Sequence, residues 1–268
     1  MKIFVCVKQV PAVAEVRIDP KTNTLVREGI PSIMNPYDKN AIELALTIKE
    51  EREAEVIAIS MGPPQASEVL REALAMGVDK AFLLTDRAFA GADTLATSYT
   101  LSLAIKNILK ESRDKKEYLV ILGAQAIDGD TGQVGPELAE ELKIPQITYV
   151  QKFELKQEKI VVERVFRKEE VVIIEAKLPA LLSVLKEINN PRHPTLSGIV
   201  DAYSKKDVVI LSANELKPNK RKIGLNGSMT EVWKIFIPER KEDQIIIKGT
   251  NEEIAQELYR NLRNDKIL

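Results

Sequence analysis

The chain has 268 residues, with 39 Lys and Arg against 40 Asp and Glu, so no global field draws it to nucleic acid or to an anionic membrane. One Cys and one His exclude an internal disulfide framework, a Cys-based zinc or iron–sulfur site and a His-cluster metal site built from this chain alone. With 44% hydrophobic residues it can bury the core of one large domain with an appendage, and no segment nears the roughly 18 apolar residues of a membrane helix.

The N-terminal run MKIFVCVKQV predicts a buried strand over residues 2–7; Lys8 and Gln9 cut it too short for a secretory h-region, so a cytoplasmic protein is expected. Ala41, Leu44, Ala45 and Ile48 recur at helical spacing. A strand at 56–59 leads to a helix over 63–76 with Gly77 as its stop. A strand at 81–85 follows, then a helix opened by Asp93 and running to 110, a strand at 118–122 and a helix from Pro136. Strands separated by helices of this length pair in parallel, so the class is α/β, doubly wound.

The pattern changes after Pro145. Residues 149–155, 160–166 and 171–176 alternate charge with Val and Ile and have little between them, which predicts antiparallel strands with one wet face. From residue 189 the chain turns Pro-rich (NNPRHPTLSG), and 201–268 forms a polar tail. That tail has one strand-like run at 232–237 and a final helix over 251–263. It lacks the apolar content for its own core and would lie on this domain or on another chain. The basic cluster KPNKRK at 217–222 reads as a solvated turn.

Ligands of doubly wound sheets sit beyond the carboxyl ends of the strands, and three loops leave that edge. The first is GAQAIDGDTGQVGP at 123–136, where Gly129, Gly132 and Gly135 lack Cβ atoms ahead of a helix start, so backbone N–H groups could approach a phosphate. Its Gly-x-x-Gly-x-x-Gly spacing is neither the dinucleotide fingerprint nor a Walker loop, and a plain strand–turn–helix connection explains it equally well. The second is Ser60-Met61-Gly62 with two prolines behind it. The third is Asn35-Pro36-Tyr37-Asp38, where Asn35 can cap, Pro36 takes the first helical position and Asp38 suits the first turn. Cys6 and Val7 end the first strand at the same edge, with Cys6 expected to be an inert buried thiol. Three such helix starts at one edge favour a nucleotide pocket.

Together these segments resemble the β subunit of electron transfer flavoprotein. The resemblance is carried by VCVKQVP at 5–11, MNPYDKNAIELAL at 34–46, VIAISMGPPQ at 56–65, REALAMGVDKA at 71–81, the glycine loop, and NNPRHPTLSGIVDA at 189–202. It implies a Rossmann-like nucleotide-binding domain over 1–188, including the antiparallel strands at 149–177, then a partner-recognition loop at 189–200. A C-terminal arm at 201–268 would pack on an α subunit that carries FAD.

Carried over by position, the nucleotide contacts fall on Cys6, Val7, Asn35, Pro36, Tyr37, Asp38, Ser60, Met61 and Gly62. In the loop they fall on Gly123, Ala124, Gln125, Ala126, Ile127, Asp128, Gly129, Asp130, Thr131, Gly132, Gln133 and Val134. No side chain need act as a catalytic acid or base. Ordinary members of the family hold AMP in this site. Members resembling the electron-bifurcating type hold FAD and carry a loop like 129–136 here, which sides this sequence with FAD and with NADH as electron donor. It departs from the pattern at Ala124, where a basic residue is common, and at Ala12, where Asp is common.

Arg192, His193, Thr195 and Leu196 fall on the recognition loop, whose Leu would enter a pocket on an acyl-CoA dehydrogenase-like or quinone oxidoreductase-like acceptor. From the residues alone, Leu196 could as well pack beneath its own loop. Two rival readings stand beside this one: an AMP-holding subunit without redox chemistry of its own, and a stand-alone nucleotide-binding regulatory domain.

Overall fold

In a computed structural model the described residues are 1–12, 31–110, 117–156, 159–167, 170–233 and 245–267, with the backbone of two short strands between 13 and 30. They fall into two compact units, 1–233 and 234–268.

The first unit is built on a nine-stranded sheet. Strands β1 (Lys2–Cys6), β6 (Glu55–Met61), β7 (Lys80–Leu84) and β8 (Tyr118–Gly123) alternate with helices α1 (Pro36–Glu51), α2 (Ser67–Met76), α3 (Thr94–Lys110) and α4 (Val134–Leu142). Between β1 and α1 lie β2 (Gln9–Pro11), which pairs with β5 (Ser32–Met34), and a ribbon of β3 (Arg17–Ile18) and β4 (Leu25–Val26). The chain then enters β9 (Gln146–Lys156), β10 (Lys159–Arg167) and β11 (Glu170–Lys177), which pair antiparallel. It returns through β12 (Ala180–Val184) and, after α5 (Leu196–Ser204), adds β13 (Val208–Leu211).

The spatial order is β11-β10-β9-β12-β8-β1-β6-β7-β13, and every pairing from β9 to β13 is parallel. This is the expected mostly parallel α/β sheet with an antiparallel extension. The continuous apolar runs KIFVC and YLVILG form its central strands because a strand covered by helices on both faces has no wet side to alternate with. On one face Ile3, Val5, Ile42, Ala45, Leu70 and Leu74 share a core beneath α1 and α2. On the other, Phe4, Ile57, Leu101, Ile105 and Leu138 do so beneath α3 and α4.

Local signals set the helix ends. Pro36 opens α1, the Asp93 side chain accepts a hydrogen bond from Ala96 N at 3.0 Å, and Gly77 ends α2 at φ 125°. Helix α4 starts at Val134, two residues before the expected Pro136.

The first unit runs to residue 233, past the residue 201 at which the C-terminal arm was expected to begin, and β13 within that stretch pairs with β7. Helices α6 (Ala213–Leu216) and α7 (Gly224–Gly227) follow within the same unit, so residues 201–233 belong to the domain. The strand-like run at 232–237 is not a strand at 232–233, and its remainder lies outside the described residues. The second unit contains α8 (Asn251–Asn264), started by a reciprocal capping box between Thr250 and Glu253 as its sequence leads one to expect.

Candidate functional site

Strands β6, β1 and β8 are neighbours, and their carboxyl ends bring the three predicted loops to one edge. Cys6 ends β1, with Val7 N donating to Ile59 O at 2.9 Å. Ser60 and Met61 end β6, and Gly62 N donates to Leu84 O at 3.1 Å. Gly123 ends β8, and residues 124–133 connect it to α4, with Ala124 N donating to Val184 O at 2.8 Å.

A buried polar node ties these ends together. Asp38, 5% exposed, accepts hydrogen bonds from Lys8 N at 2.7 Å, Gly123 N at 3.1 Å and Asn35 Nδ2 at 3.0 Å. Asn35, 1% exposed, also donates to Gln125 O at 2.9 Å and accepts from Ile127 N at 3.2 Å. The expected side-chain cap on α1 is not made; Asn35 spends its amide on the glycine loop instead. A buried amide leaves no donor or acceptor idle when it can close a network, and this one joins α1, β1 and β8. Burial pushes the Asp38 carboxyl up to about 7 against the three hydrogen bonds, and burial with the nearby Asp38 pushes the Cys6 thiol up to about 12. Cys6 is therefore an inert core thiol at neutral pH, as expected.

The loop's own carboxylates are turned back onto the protein. Lys8 Nζ reaches Asp128 at 2.7 and 2.9 Å, and Gln125 Nε2 reaches Asp130 Oδ1 at 3.0 Å. Lys8 is the residue that sequence reading missed; a cation directly after a strand that ends at a candidate pocket was the available signal. Asp130 and Gly132 both adopt left-handed backbone, at φ 51° and 62°. Among the described residues the backbone N–H groups of Thr131, Gly132 and Gln133 donate no hydrogen bond, and they precede the positive end of α4.

The glycines differ in purpose. A Cβ on Gly129 would meet no protein atom within 4 Å, and one on Gly132 would lie 3.3 Å from Tyr149 Oη. On Gly135 its nearest neighbours would be Leu122 and Leu181 in the core, at 3.5 and 3.6 Å, so this glycine faces the core and not the ligand space expected of it. Gly123 is the position that forbids a side chain, because a Cβ would lie 2.5 Å from Asp38 Oδ1 and from Tyr37 Cβ.

Ser60 Oγ is the one buried side-chain polar atom without a hydrogen-bond partner among the described residues, and Ser60 is 1% exposed. An orphaned hydroxyl and a row of unpaired N–H groups at one sheet edge suit a polar ligand with phosphate oxygens.

Arg192, His193, Thr195 and Leu196 lie apart from this edge, on the side of the sheet covered by α1 and α2. Arg192 closes on Glu43 through N at 2.9 Å, Nε at 2.8 Å and Nη2 at 2.9 Å, and on Glu50 through Nη1 at 2.5 Å. Asn189 and Asn40 exchange hydrogen bonds at 2.9 and 3.0 Å. Thr195 caps α5 by accepting from Gly198 N at 3.0 Å. Leu196 occupies the first turn of α5, not an irregular loop, and is 81% exposed, so it does not pack beneath its own segment. Ile199, Val200 and Tyr203 continue its exposed face at helical spacing.

The chain matches the electron transfer flavoprotein domain over residues 22–216. It is 51% identical to the electron transfer flavoprotein subunit beta of Thermoanaerobacterium thermosaccharolyticum, covering all of both chains. It is 48% identical to the caffeyl-CoA reductase-Etf complex subunit CarD of Acetobacterium woodii, again over the whole of both. It is 38% identical to the acryloyl-CoA reductase electron transfer subunit gamma of Anaerotignum propionicum, also at full coverage of each. No helix among the described residues is long and apolar enough to cross a membrane. Full-length similarity of this kind sets aside the stand-alone regulatory domain, and the chain belongs to the electron transfer flavoprotein family, as a β subunit that pairs with an α subunit in electron transfer.

Proposed function

We propose that the chain is the FAD-binding β subunit of a cytoplasmic electron transfer flavoprotein. In this reading it receives electrons from NADH and delivers them, through the α-subunit flavin, to an acyl-CoA dehydrogenase-like or quinone oxidoreductase-like acceptor by electron bifurcation. Bound flavin would supply the hydride and electron chemistry, and the protein's part is to bind and orient it. The observation that carries the reading is the edge of β6, β1 and β8, with its unpaired Thr131–Gly132–Gln133 N–H groups and the orphaned Ser60 hydroxyl. The open space at Gly129 leaves room for a second phosphate, which favours FAD over AMP.

The relatives' names support the direction of electron flow: one belongs to a caffeyl-CoA reductase complex and another is an electron transfer subunit of acryloyl-CoA reductase. Leu196, exposed at the head of α5, is the anchor for the acceptor, with His193 and Thr195 exposed beside it. Arg192 holds this segment onto α1 through Glu43 and Glu50, with part of its side chain left exposed beside the surface. Residues 234–268, with α8, form the arm for the α subunit.

The test is the cofactor content of the purified heterodimer. Two flavins per heterodimer, with NADH-dependent bleaching, are expected. One flavin and one AMP would replace the FAD reading with the AMP-holding one.

A further inference from the structure

Strand β9 contains a residue that its pairing does not need. Ile147 lies opposite Leu182 and Val150 opposite Val184, so three steps along β9 match two along β12. The extra residue leaves both Ile147 and Val150 buried in the same core and throws the segment between them outward. Within it Tyr149 adopts φ 57°, left-handed backbone that bulky side chains rarely take. Bulges of this kind re-aim a side chain, and here the phenol is carried to the glycine loop. A Cβ built on Gly132 would lie 3.3 Å from Tyr149 Oη, so the bare glycine, itself at φ 62°, makes room for the hydroxyl.

The bulge also bends the sheet where parallel pairing gives way to antiparallel, a role that sets no demand on where the phenol goes. Tyr149 is 39% exposed, and its hydroxyl makes no hydrogen bond among the described residues. Strained backbone that delivers an unpartnered polar group beside unpaired N–H groups is arranged for something those groups share.

We propose that Tyr149 is a ligand-contact residue of the glycine-loop site, its hydroxyl giving a hydrogen bond to a phosphate oxygen held by the N–H groups of residues 131–133. This rests on the nucleotide reading given above. It adds to the site a donor from the antiparallel end of the sheet, outside the three loops.

The test uses the heterodimer with its α subunit, first assayed for β-site nucleotide, then emptied and titrated with FAD, or with AMP if that is what the parent holds. Tyr149→Phe keeps the ring and the bulge, and should raise the β-site Kd roughly tenfold, or about 1.4 kcal/mol. Tyr149→Gly, which suits left-handed backbone, should raise Kd at least as much while the melting temperature stays level or climbs. Parental affinity in Tyr149→Phe overturns the contact while leaving the nucleotide reading intact. A parent that binds neither FAD nor AMP in the β subunit overturns both.

Discussion

Helix α1 serves two regions that use the same device for opposite ends. At its N-terminus Asn35 and Asp38 are buried and spend their side chains on Lys8, Gly123, Gln125 and Ile127, fixing a loop whose N–H groups at residues 131–133 stay free. Further along, Asn40 and Glu43 are buried and spend theirs on Asn189 and Arg192, fixing a segment whose apolar side chains stay free. In both places a buried carboxylate and a buried amide hold one backbone. What differs is the group left unpaired. Donors left over suit an anion; Leu196 left over suits an apolar pocket on another protein.

The sharpest way to break this comparison is at Asp38. Asp38→Ala removes the acceptor of the Lys8 and Gly123 N–H groups and of one N–H of the Asn35 amide, so the free energy of unfolding should drop by about 3 kcal/mol and β-site nucleotide should be lost. Urea unfolding within about 0.5 kcal/mol of the parent would show that the node holds nothing. At the other region Leu196→Ala should weaken acceptor docking by about 2 kcal/mol, read as a raised KM for the acceptor with NADH-driven flavin reduction unchanged. An unchanged KM across an acceptor titration would remove Leu196 as the anchor. Arg192→Ala takes the guanidinium away from the buried Glu43 carboxylate and leaves it only the backbone N–H of residue 192, and should cost about 2 kcal/mol of stability along with a raised acceptor KM. If stability falls and KM does not, the clamp is structural only.

The two carboxylates also differ in how pH acts on them. Asp38 ionises at about 7 in the folded protein against an ordinary 3.8, because burial outweighs its hydrogen bonds. The folded state therefore keeps a proton that the unfolded chain has lost. The contribution of Asp38 is full below about pH 4, falls as pH rises towards 7 at up to about 1.4 kcal/mol per unit, and is flat above. Asp38→Asn should flatten the stability profile between pH 5 and 7; a parallel slope in mutant and parent would contradict this. The smallest effect belongs to Gly129→Ala. No protein atom meets the added methyl, so stability should stay within about 0.5 kcal/mol, and any weakening of nucleotide binding reports the ligand directly.

Much of this was legible in the sequence where apolar runs were long. KIFVC and YLVILG could only be strands buried on both faces, and the Gly and Pro punctuation placed their exits at one edge. Strands β12 and β13, ALLSV and VVIL, went unread because four apolar residues in a polar or Pro-rich setting become a strand only through the neighbours they pair with. Asn35 reads as a helix cap because composition cannot tell which partners a side chain will meet across 90 residues of chain. The bulge at Tyr149 left no mark either, since its signature is a mismatch of register between two strands.

The burial of Cys6 has a practical consequence. The chain's sole thiol lies in the core and stays protonated far above neutral pH, so maleimides and spin labels should pass it by. A cysteine placed at an exposed position, such as Ser197 beside the head of α5, would then be the one reactive group on this subunit. A fluorophore there could follow the approach of an acceptor in real time, in the native sequence background and without removing any other residue.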